Sequence, residues 1–326
     1  MRSKFPFAAL SRLLLLTLGA ILLSCVPLTR PAAPPAQATP RLAGTAGRWF
    51  THAFIVVEEN HEYDQIIGSP DAPYINKLAS QYGLATNYYA VTHPSLPNYL
   101  ALISGSTQGI TNDCPDCSVN APNLVDELAR RGISWKAYLE SMPRPCYNYG
   151  NAGSPLDAMS GDFYVRRHDP FLYFQDISSN PSRCDRVVPF EQLATDLHNN
   201  AVPDFVWITP NLANDMHNGS VKAGDDWLAA QVPAILRSAA WRDNGVLFIT
   251  WDEGTTNAGC CGVSGGGRVP LLVITPNQGP RRSSTPYTHY SLLRTLEESW
   301  GLALLGHSGD ADTRPVLDLL GRASGG

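Results

Sequence analysis

Short, continuously apolar runs alternate with amphipathic stretches along most of this 326-residue chain. A run of four to eight apolar residues bounded by polar groups is typical of a strand buried on both faces of a sheet. Apolar residues three and four positions apart, followed by glycine, indicate a helix. The pattern predicts five strands near residues 52–57, 133–139, 205–209, 246–250 and 269–275, and five helices near residues 73–82, 123–131, 190–198, 227–238 and 290–300.

The order of these elements predicts the fold class. Strands that alternate with helices favour an α/β fold with a largely parallel central sheet and helices on both faces. The periodicity is weak over residues 142–189, where Pro, Asn, Gly and Cys are frequent. We expect this segment to cross the carboxyl edge of the sheet, held in place by a disulfide.

The N-terminus has the pattern of an export signal. Residues 1–24 combine Arg2, Lys4 and Arg12 with an apolar run that is too short for a comfortable membrane span. The run ends in Leu-Leu-Ser-Cys, which resembles a bacterial lipoprotein box and predicts a lipid anchor on Cys25. An ordinary secretory signal cut near residues 36–38 is the alternative.

The domain boundaries follow from composition. Residues 25–48 are rich in Pro and Ala, as expected of an extended tether. Residues 49–302 then hold the regular pattern of a folded domain, and residues 303–326 are predicted to be a C-terminal appendage.

Cysteine content and net charge restrict the class of protein. Six cysteines remain after Cys25, an even number that suits disulfides in an oxidising compartment. Six cysteines allow about 15 pairings, of which Cys146 with Cys184 is favoured. The pair Cys114 and Cys117 resembles half a zinc site, but no second pair follows, and a disulfide is preferred.

The net charge argues against one class of partner. Removing residues 1–24, which carry three basic residues and no acid, changes the formal charge from −5 to −8. Nucleic-acid binding depends on Lys and Arg that neutralise phosphates, so we expect no nucleic-acid partner. A small phosphate ester can still bind where a metal ion supplies positive charge.

Polar side chains follow several of the predicted strands. Because the carboxyl ends of parallel strands meet at one edge of a sheet, these side chains should lie close together. Carboxylate, amide and imidazole groups of this kind suit a divalent cation, with Ca, Mg, Mn and Zn all open. The residues concerned are Glu59, Asn60, Asn211, Asp215, His217, Asp252 and Glu253, with His289 at the start of the last helix.

The stretch from His93 to Tyr99 places a serine hydroxyl between two prolines, just before an apolar run. A serine at the start of a helix lies beside unpaired backbone N–H groups, which can hold an anion while the hydroxyl attacks it. Ser95 is therefore the candidate nucleophile and Asn98 a candidate ligand for a phosphate oxygen. His93 is either a general base or a second substrate contact. A proline-bounded turn capped by Asn98 is the alternative interpretation.

Several motifs in order resemble the bacterial acid phosphatase and phospholipase C phosphoesterase family. They are Val56-Val57-Glu58-Glu59-Asn60, Thr92-His93-Pro94-Ser95, Trp251-Asp252-Glu253-Gly254, Gly267-Arg268-Val269-Pro270 and His289-Tyr290-Ser291-Leu292-Leu293-Arg294. The resemblance covers roughly residues 49–302. It implies an alkaline-phosphatase-like α/β sandwich and metal-dependent hydrolysis of phosphate esters through a covalent enzyme intermediate.

The resemblance also implies roles for individual residues. Glu59, Asn60, Asp252 and Glu253 match metal-binding positions, to which we add Asp215 from the strand-end pattern. His217 matches a histidine that binds phosphate or serves the leaving group, and His289 is a further candidate for substrate binding. The sequence Ser95-Leu96-Pro97-Asn98 resembles the Thr-Phe-Pro-Asn element of nucleotide pyrophosphatases, with Ser95 as nucleophile. Asn98 stands where sulfatases carry arginine, which counts against a sulfatase.

The sequence thus predicts an exported, lipid-anchored, metal-dependent phosphoesterase in the cell envelope. Its substrate is a small phosphate ester or a phospholipid, and acid phosphatase activity through a phosphoserine is favoured over phospholipase C or another phosphodiesterase. A surface lipoprotein that only binds metal is the alternative from another class. No Gly-x-Ser-x-Gly motif is present, which argues against a conventional serine hydrolase.

Overall fold

A computed structural model describes residues 48–149, 164–276 and 278–321. The predicted signal, the anchor at Cys25 and the tether to residue 47 lie outside these residues. No helix in the described ranges combines the length and apolar character that crossing a bilayer requires.

The described residues form ten strands, ten α-helices and three short 3₁₀ helices, the last at Arg166–His168, Phe171–Tyr173 and Gly306–Gly309. The strands are β1 (His52–Glu58), β2 (Gly83–Ala85), β3 (Tyr88–Tyr89), β4 (Trp135–Leu139), β5 (Val187–Pro189), β6 (Phe205–Thr209), β7 (Gly245–Trp251), β8 (Leu271–Ile274), β9 (Arg281–Ser283) and β10 (Tyr287–Thr288). The helices are α1 (Tyr63–Ile66), α2 (Pro73–Gln81), α3 (Ser95–Ser104), α4 (Leu124–Arg130), α5 (Gln175–Ser178), α6 (Pro181–Cys184), α7 (Gln192–His198), α8 (Val221–Arg237), α9 (Ala239–Arg242) and α10 (His289–Trp300).

Eight strands form the central sheet, in the order β5-β4-β6-β1-β7-β8-β2-β9, and β10 pairs with β3 in a small second sheet. Strand β1 lies between β6 and β7 and is parallel to both. Strand β8 runs antiparallel to both of its neighbours, β7 and β2. The fold is therefore α/β with a mostly parallel, mixed sheet flanked by helices, as the sequence pattern predicts.

The predicted helices and strands are all present, with shifts at their ends. Helix α8 begins at Val221 rather than near residue 227, because the Ser220 hydroxyl accepts a hydrogen bond from the Ala223 amide and caps the helix early. The short strands β2 and β9 were not predicted. Runs of three residues are too short for a period-two pattern to be recognised.

The segment predicted as a C-terminal appendage packs against the domain over its described part. Val316, Leu319 and Leu320 are buried in the main hydrophobic core. Arg294 on α10 donates hydrogen bonds to the carbonyl oxygens of Asp310 and Thr313. These residues therefore belong to the folded unit.

Three disulfides join the six predicted cysteines. Cys146 pairs with Cys184, which confirms the favoured pairing, and Cys114 pairs with Cys117. Cys260 pairs with its neighbour Cys261. The Cys146–Cys184 bridge closes the weakly patterned segment that the sequence placed across the carboxyl edge of the sheet.

Candidate active site

The site lies at the carboxyl ends of the central strands. The backbone N–H of Glu59, after β1, donates to the Asp215 carbonyl at 2.8 Å, and the Asp252 N–H, after β7, donates to the Glu58 carbonyl at 2.9 Å. The three strand ends are thus joined by main-chain hydrogen bonds. They bring Glu59, Asp215 and Asp252 together, as their positions after parallel strands predict.

Ser95 is the first residue of α3 and is almost fully buried. Its Oγ donates to Glu59 Oε2 at 3.1 Å and approaches Glu253 Oε1 at 3.4 Å. Pro94 precedes it in extended conformation, so α3 begins at the serine. The hydroxyl therefore faces two carboxylates at the positive end of a helix.

The carboxylates around Ser95 are poorly solvated. Burial, and then the charges of Glu59 and Glu253, raise the pKa of Asp252 well above its usual value. Burial likewise raises the pKa of Glu253 to about 7. Asp252 Oδ2 is buried without a hydrogen-bond partner. Such a concentration of carboxylates is unfavourable unless protons or a cation offset it.

His168 completes this cluster. The imidazole is buried, with Nδ1 3.1 Å from Asp215 Oδ2 and Nε2 3.0 Å from Glu59 Oε1. It stacks on the Tyr99 ring at a centroid distance of 5.3 Å, and the Tyr99 hydroxyl donates to Glu59. Burial lowers the pKa of His168 to about 4, so the ring is neutral at pH 7.

The contact between His168 and Glu59 bears on metal binding. Because Nδ1 bonds to Asp215, a neutral ring turns the lone pair of Nε2 toward the Glu59 carboxylate, and Nε2 has no hydrogen-bond partner. Burial raises the pKa of Glu59, and two electron-rich atoms 3.0 Å apart are stabilised either by a proton or by a shared cation. Glu59, His168 and His217 each offer a ligand atom, and these atoms lie within 4.8 Å of one another. The donor set therefore fits a divalent cation.

Comparison with known proteins identifies the family. The phosphoesterase family model matches residues 69–303. The chain belongs to the phosphoesterase family. It is a hydrolase that acts on phosphoric ester bonds, as the relatives below indicate.

Two curated relatives are similar to this phosphoesterase over most of its length. A phosphatidylinositol-3-phosphatase of Mycobacterium tuberculosis is 34% identical over 281 residues, which cover 86% of each chain. A probable acid phosphatase of Kluyveromyces lactis is 31% identical, with 90% of this chain and 68% of the relative covered.

Solved structures show the fold. A phosphonate monoester hydrolase of Agrobacterium radiobacter superposes with a TM-score of 0.57 at 14% identity, covering 85% of this chain and 78% of the other. An alkaline phosphatase superfamily protein of Vibrio parahaemolyticus gives a TM-score of 0.52 at 14% identity, covering 81% and 69%. The fold of the phosphoesterase is therefore that of the alkaline phosphatase superfamily.

Asn98 lies near Ser95 but uses its side chain on the backbone. Its Oδ1 accepts from the N–H groups of Val91 and Thr92, and its Nδ2 donates to the carbonyls of Thr92 and Pro94. Both amide protons are thus taken in this structure. These bonds support a role for Asn98 in bracing the loop before Ser95, and its role as a ligand for a phosphate oxygen stays a prediction.

The predicted histidines differ in their surroundings. His93 Nδ1 lies 2.5 Å from Glu253 Oε2, and its Nε2 lies 2.9 Å from the Thr256 carbonyl. In this structure His93 contacts a carboxylate beside Ser95 rather than the Ser95 hydroxyl, and its role as a general base or a second substrate contact stays a prediction.

His289 also differs from its predicted role as a substrate ligand. It is fully buried, with Nε2 donating to the Asp252 carbonyl at 2.5 Å and Nδ1 paired with the Tyr88 hydroxyl at 2.8 Å. Burial lowers the pKa of His289 to about 4. Both ring nitrogens are thus bonded inside the protein in this structure, which supports a role for His289 in positioning the backbone of Asp252, and its substrate-binding role stays a prediction.

His217 and Asn60 lie at the site, and their predicted roles stay predictions. The His217 N–H donates to Asp215 Oδ1 at 2.8 Å, and Arg167 Nη2 donates to His217 Nε2 at 3.1 Å. Asn60 adopts a left-handed φ of 57°, which asparagine tolerates, and its N–H donates to Asp252 Oδ1.

Sequence reasoning did not identify His168 or Arg167. Both lie on the segment between Cys146 and Cys184, where the apolar pattern is too weak to predict which side chains face the site. The run Arg166-Arg167-His168-Asp169 was the available signal, because four ionisable residues in a row on a loop across the carboxyl edge of a sheet are candidates for a site.

Proposed function

We propose that this phosphoesterase is a metal-dependent acid phosphatase that hydrolyses phosphate monoesters through a covalent intermediate on Ser95. The observation that carries the proposal is the Ser95 hydroxyl at the start of α3, held between Glu59 and Glu253. The names of the curated relatives, which are phosphatases, favour monoesters over the diesters of phospholipase C.

The proposed reaction has two displacements at phosphorus. Ser95 Oγ attacks the phosphorus and passes its proton to the neighbouring carboxylate of Glu59 or Glu253. The bond from phosphorus to the alcohol oxygen breaks, and the leaving oxygen takes up a proton from solvent at the side of the site where partly buried His217 lies. Water then attacks the phosphoserine, which releases inorganic phosphate and restores the hydroxyl.

Two overlapping sets of residues can hold the proposed cation. The family resemblance supports Glu59, Asn60, Asp252 and Glu253, and the geometry supports Glu59, His168 and His217. Glu59 is common to both sets. A bound divalent cation supplies charge that lowers the pKa of the serine hydroxyl and offsets the charge on the phosphoryl oxygens.

A lipid phosphate is the second candidate substrate. The relative that is 34% identical over 86% of both chains is named a phosphatidylinositol-3-phosphatase. A phosphate on the inositol ring is a monoester, so the same displacement serves it. A lipid anchor on Cys25 would place the enzyme at a membrane surface, and three disulfides support export to an oxidising compartment.

Substitution of Ser95 tests the nucleophile. We expect Ser95→Ala to lower kcat at least about 1,000-fold, because the covalent step is lost. The assay uses a chromogenic monoester, the matching diester and a short-chain phosphatidylinositol 3-phosphate, with Mg²⁺, Mn²⁺, Ca²⁺ and Zn²⁺ in turn. Ser104→Ala, at the far end of the same helix, is the control. If Ser95→Ala retains its turnover, Ser95 is not the nucleophile. If the wild-type enzyme hydrolyses the diester faster than both monoesters, the proposed phosphatase activity is wrong.

A further inference from the structure

The start of α3 has few backbone donors for an anion. Residues at the start of a helix have N–H groups without partners inside the helix. Pro94 and Pro97 have no N–H, so Ser95 and Leu96 are the residues of this turn that can supply one. The N–H of Leu96, next to the nucleophile, is therefore one of the two backbone donors with which this turn can bind a phosphate oxygen.

That donor is already bound by an acid. The Leu96 N–H donates to Asp113 Oδ1 at 2.9 Å. The Asp113 side chain is one-third exposed, and its Oδ2 lies 3.7 Å from Arg167 Nε. The distance is longer than a hydrogen bond, and Arg167 Nε is buried without a hydrogen-bond partner. Asp113 is thus attached to the helix by a single hydrogen bond and to the guanidinium by a longer ionic contact.

The position of Asp113 is unfavourable for a site that already holds several carboxylates. Burial raises the pKa of Glu253, and among the charges that raise it further are those of Glu59 and Asp113. Asp113 therefore acts on the carboxylate beside Ser95. A further acid near the nucleophile opposes binding of an anionic substrate as long as it stays in place.

A substrate phosphate needs the same donor. Reaction requires phosphorus within roughly 3–3.5 Å of Ser95 Oγ, which directs a phosphoryl oxygen toward the adjacent N–H groups of α3. The Leu96 N–H is one proton, and a carboxylate and a phosphate oxygen compete for it. Asp113 lies outside the helices and strands, beside the four-residue Cys114–Cys117 ring, where a small movement breaks no regular structure.

We propose that Asp113 is a displaceable internal ligand, whose carboxylate binds the Leu96 N–H and Arg167 in the free enzyme and gives way to a phosphate oxygen. The proposal rests on the proposed role of Ser95. The competition weakens binding of substrate and of product phosphate equally, because both must displace the same carboxylate. Asp113 thus raises KM and favours release of inorganic phosphate.

The test measures binding of inorganic phosphate to the intact enzyme, with and without added divalent cation. The dissociation constant comes from the rise in Tm with phosphate concentration, which needs no turnover, and the inhibition constant comes from monoester hydrolysis. We expect Asp113→Ala to bind phosphate about tenfold more tightly. The variant loses one charge-assisted hydrogen bond that competes with phosphate, and a bond of that strength corresponds to a factor of about ten in the dissociation constant. The KM for a monoester should fall by the same factor.

The controls separate competition from other effects. Asp116→Ala removes the same charge from an exposed position on the same disulfide ring and should leave phosphate binding unchanged. Asp113→Asn keeps an acceptor for the Leu96 N–H without the charge, and should tighten binding by about threefold because a neutral hydrogen bond is weaker. It also serves as the test if the alanine variant does not fold.

The outcomes are distinct. Unchanged or weaker phosphate binding in Asp113→Ala and Asp113→Asn shows that Asp113 only caps α3, and overturns the proposal. If Asp116→Ala tightens phosphate binding as much as Asp113→Ala does, the effect is due to net charge and the proposal is also overturned. If Ser95→Ala keeps its turnover, the proposed nucleophile is wrong, whereas phosphate binding by the Asp113 variants still decides the role of Asp113.

Discussion

At the scale of single residues, the site depends on which polar side chains lie between its buried carboxylates. His168 is the central example, because one imidazole separates the carboxylates of Glu59 and Asp215. The charge of Glu59 contributes to the raised pKa of Asp215, after burial, while the hydrogen bond from His168 lowers it. Removing the ring exposes the two acids to each other.

We expect His168→Ala to weaken divalent-cation binding by about 10- to 100-fold, the range typical of lost ligands or of the groups that orient them. The rate of monoester hydrolysis at a fixed low metal concentration should fall in parallel. Metal titrations followed by Tm and by activity measure both effects. His198→Ala, at an exposed position on α7, is the control, and equal metal affinity in both variants contradicts the assignment.

At the scale of elements, the loop before α3 is held by Asn98 from inside the helix. Four hydrogen bonds join its side chain to the backbone of residues 91–94. The placement of Ser95 therefore depends on a residue one turn further along the same helix. If Asn98 braces the loop, its removal should change stability and the position of Ser95. If Asn98 binds a phosphate oxygen, its removal should change substrate affinity instead.

Asn98→Ala should lower the free energy of unfolding by about 3 kcal/mol, because buried backbone groups lose their partners. Activity should fall through kcat, since the serine is no longer positioned. Urea unfolding and steady-state kinetics measure the two effects. If stability is unchanged and KM for phosphate esters rises instead, Asn98 binds substrate and the bracing role is wrong.

Helix α10 carries a buried acid, Glu297, outside the carboxylate cluster around Ser95. Glu297 Oε1 accepts from the Leu305 N–H at 2.9 Å, and its Oε2 is buried without a hydrogen-bond partner. Burial raises the pKa of Glu297 from 4.5 to about 7. The folded protein therefore binds a proton there that the unfolded chain releases between pH 4.5 and 7.

Because the folded pKa is above the unfolded one, the free energy of unfolding falls as pH rises through this window. The loss is absent below pH 4.5 and complete above pH 7, and amounts to about 3 kcal/mol. Glu297→Gln should remove this component, so that the variant loses less stability than the wild type between pH 4.5 and 8. Urea unfolding across that range measures it. Identical pH profiles contradict the raised pKa, and Glu191→Gln, at an exposed position, controls for net charge.

At the scale of the whole molecule, a disulfide connects the site to the rest of the fold. The Cys146–Cys184 bridge spans 38 residues, and His168 and Arg167 lie within that span. The segment has short helices and turns over its described part, so little regular structure orders it. Its attachment therefore contributes both to stability and to the position of His168.

We expect Cys146→Ser with Cys184→Ser to lower the free energy of unfolding by about 4 kcal/mol, from the entropy of a loop of this length. The metal affinity should fall as well, because His168 is less firmly placed. The matched control is Cys114→Ser with Cys117→Ser, whose bridge spans three residues and should stabilise less. Equal losses from the two pairs, measured by urea unfolding, contradict the prediction.

The sequence predicted the elements of the phosphoesterase well and the partners of its side chains less well. Apolar runs and strand-end carboxylates located β1, β6 and β7, and the register of these strands then brings Glu59 and Asp252 together. By contrast, the sequence made His289 a candidate for substrate binding, whereas in the structure its side chain is enclosed between Tyr88 and Asp252. Position along the chain does not determine which side chains meet across more than a hundred residues.

The sequence by itself determined the α/β class, the family and Ser95 at the start of a helix, because these follow from local pattern and ordered motifs. Only the tertiary structure decided that His168 enters the carboxylate cluster, that Asn98 is used on the backbone and that Asp113 occupies the N–H of Leu96. The physical reason is that each of these depends on contacts between a loop and a distant element. Such contacts arise when the sheet and its covering segments pack, and no periodicity of the chain encodes them.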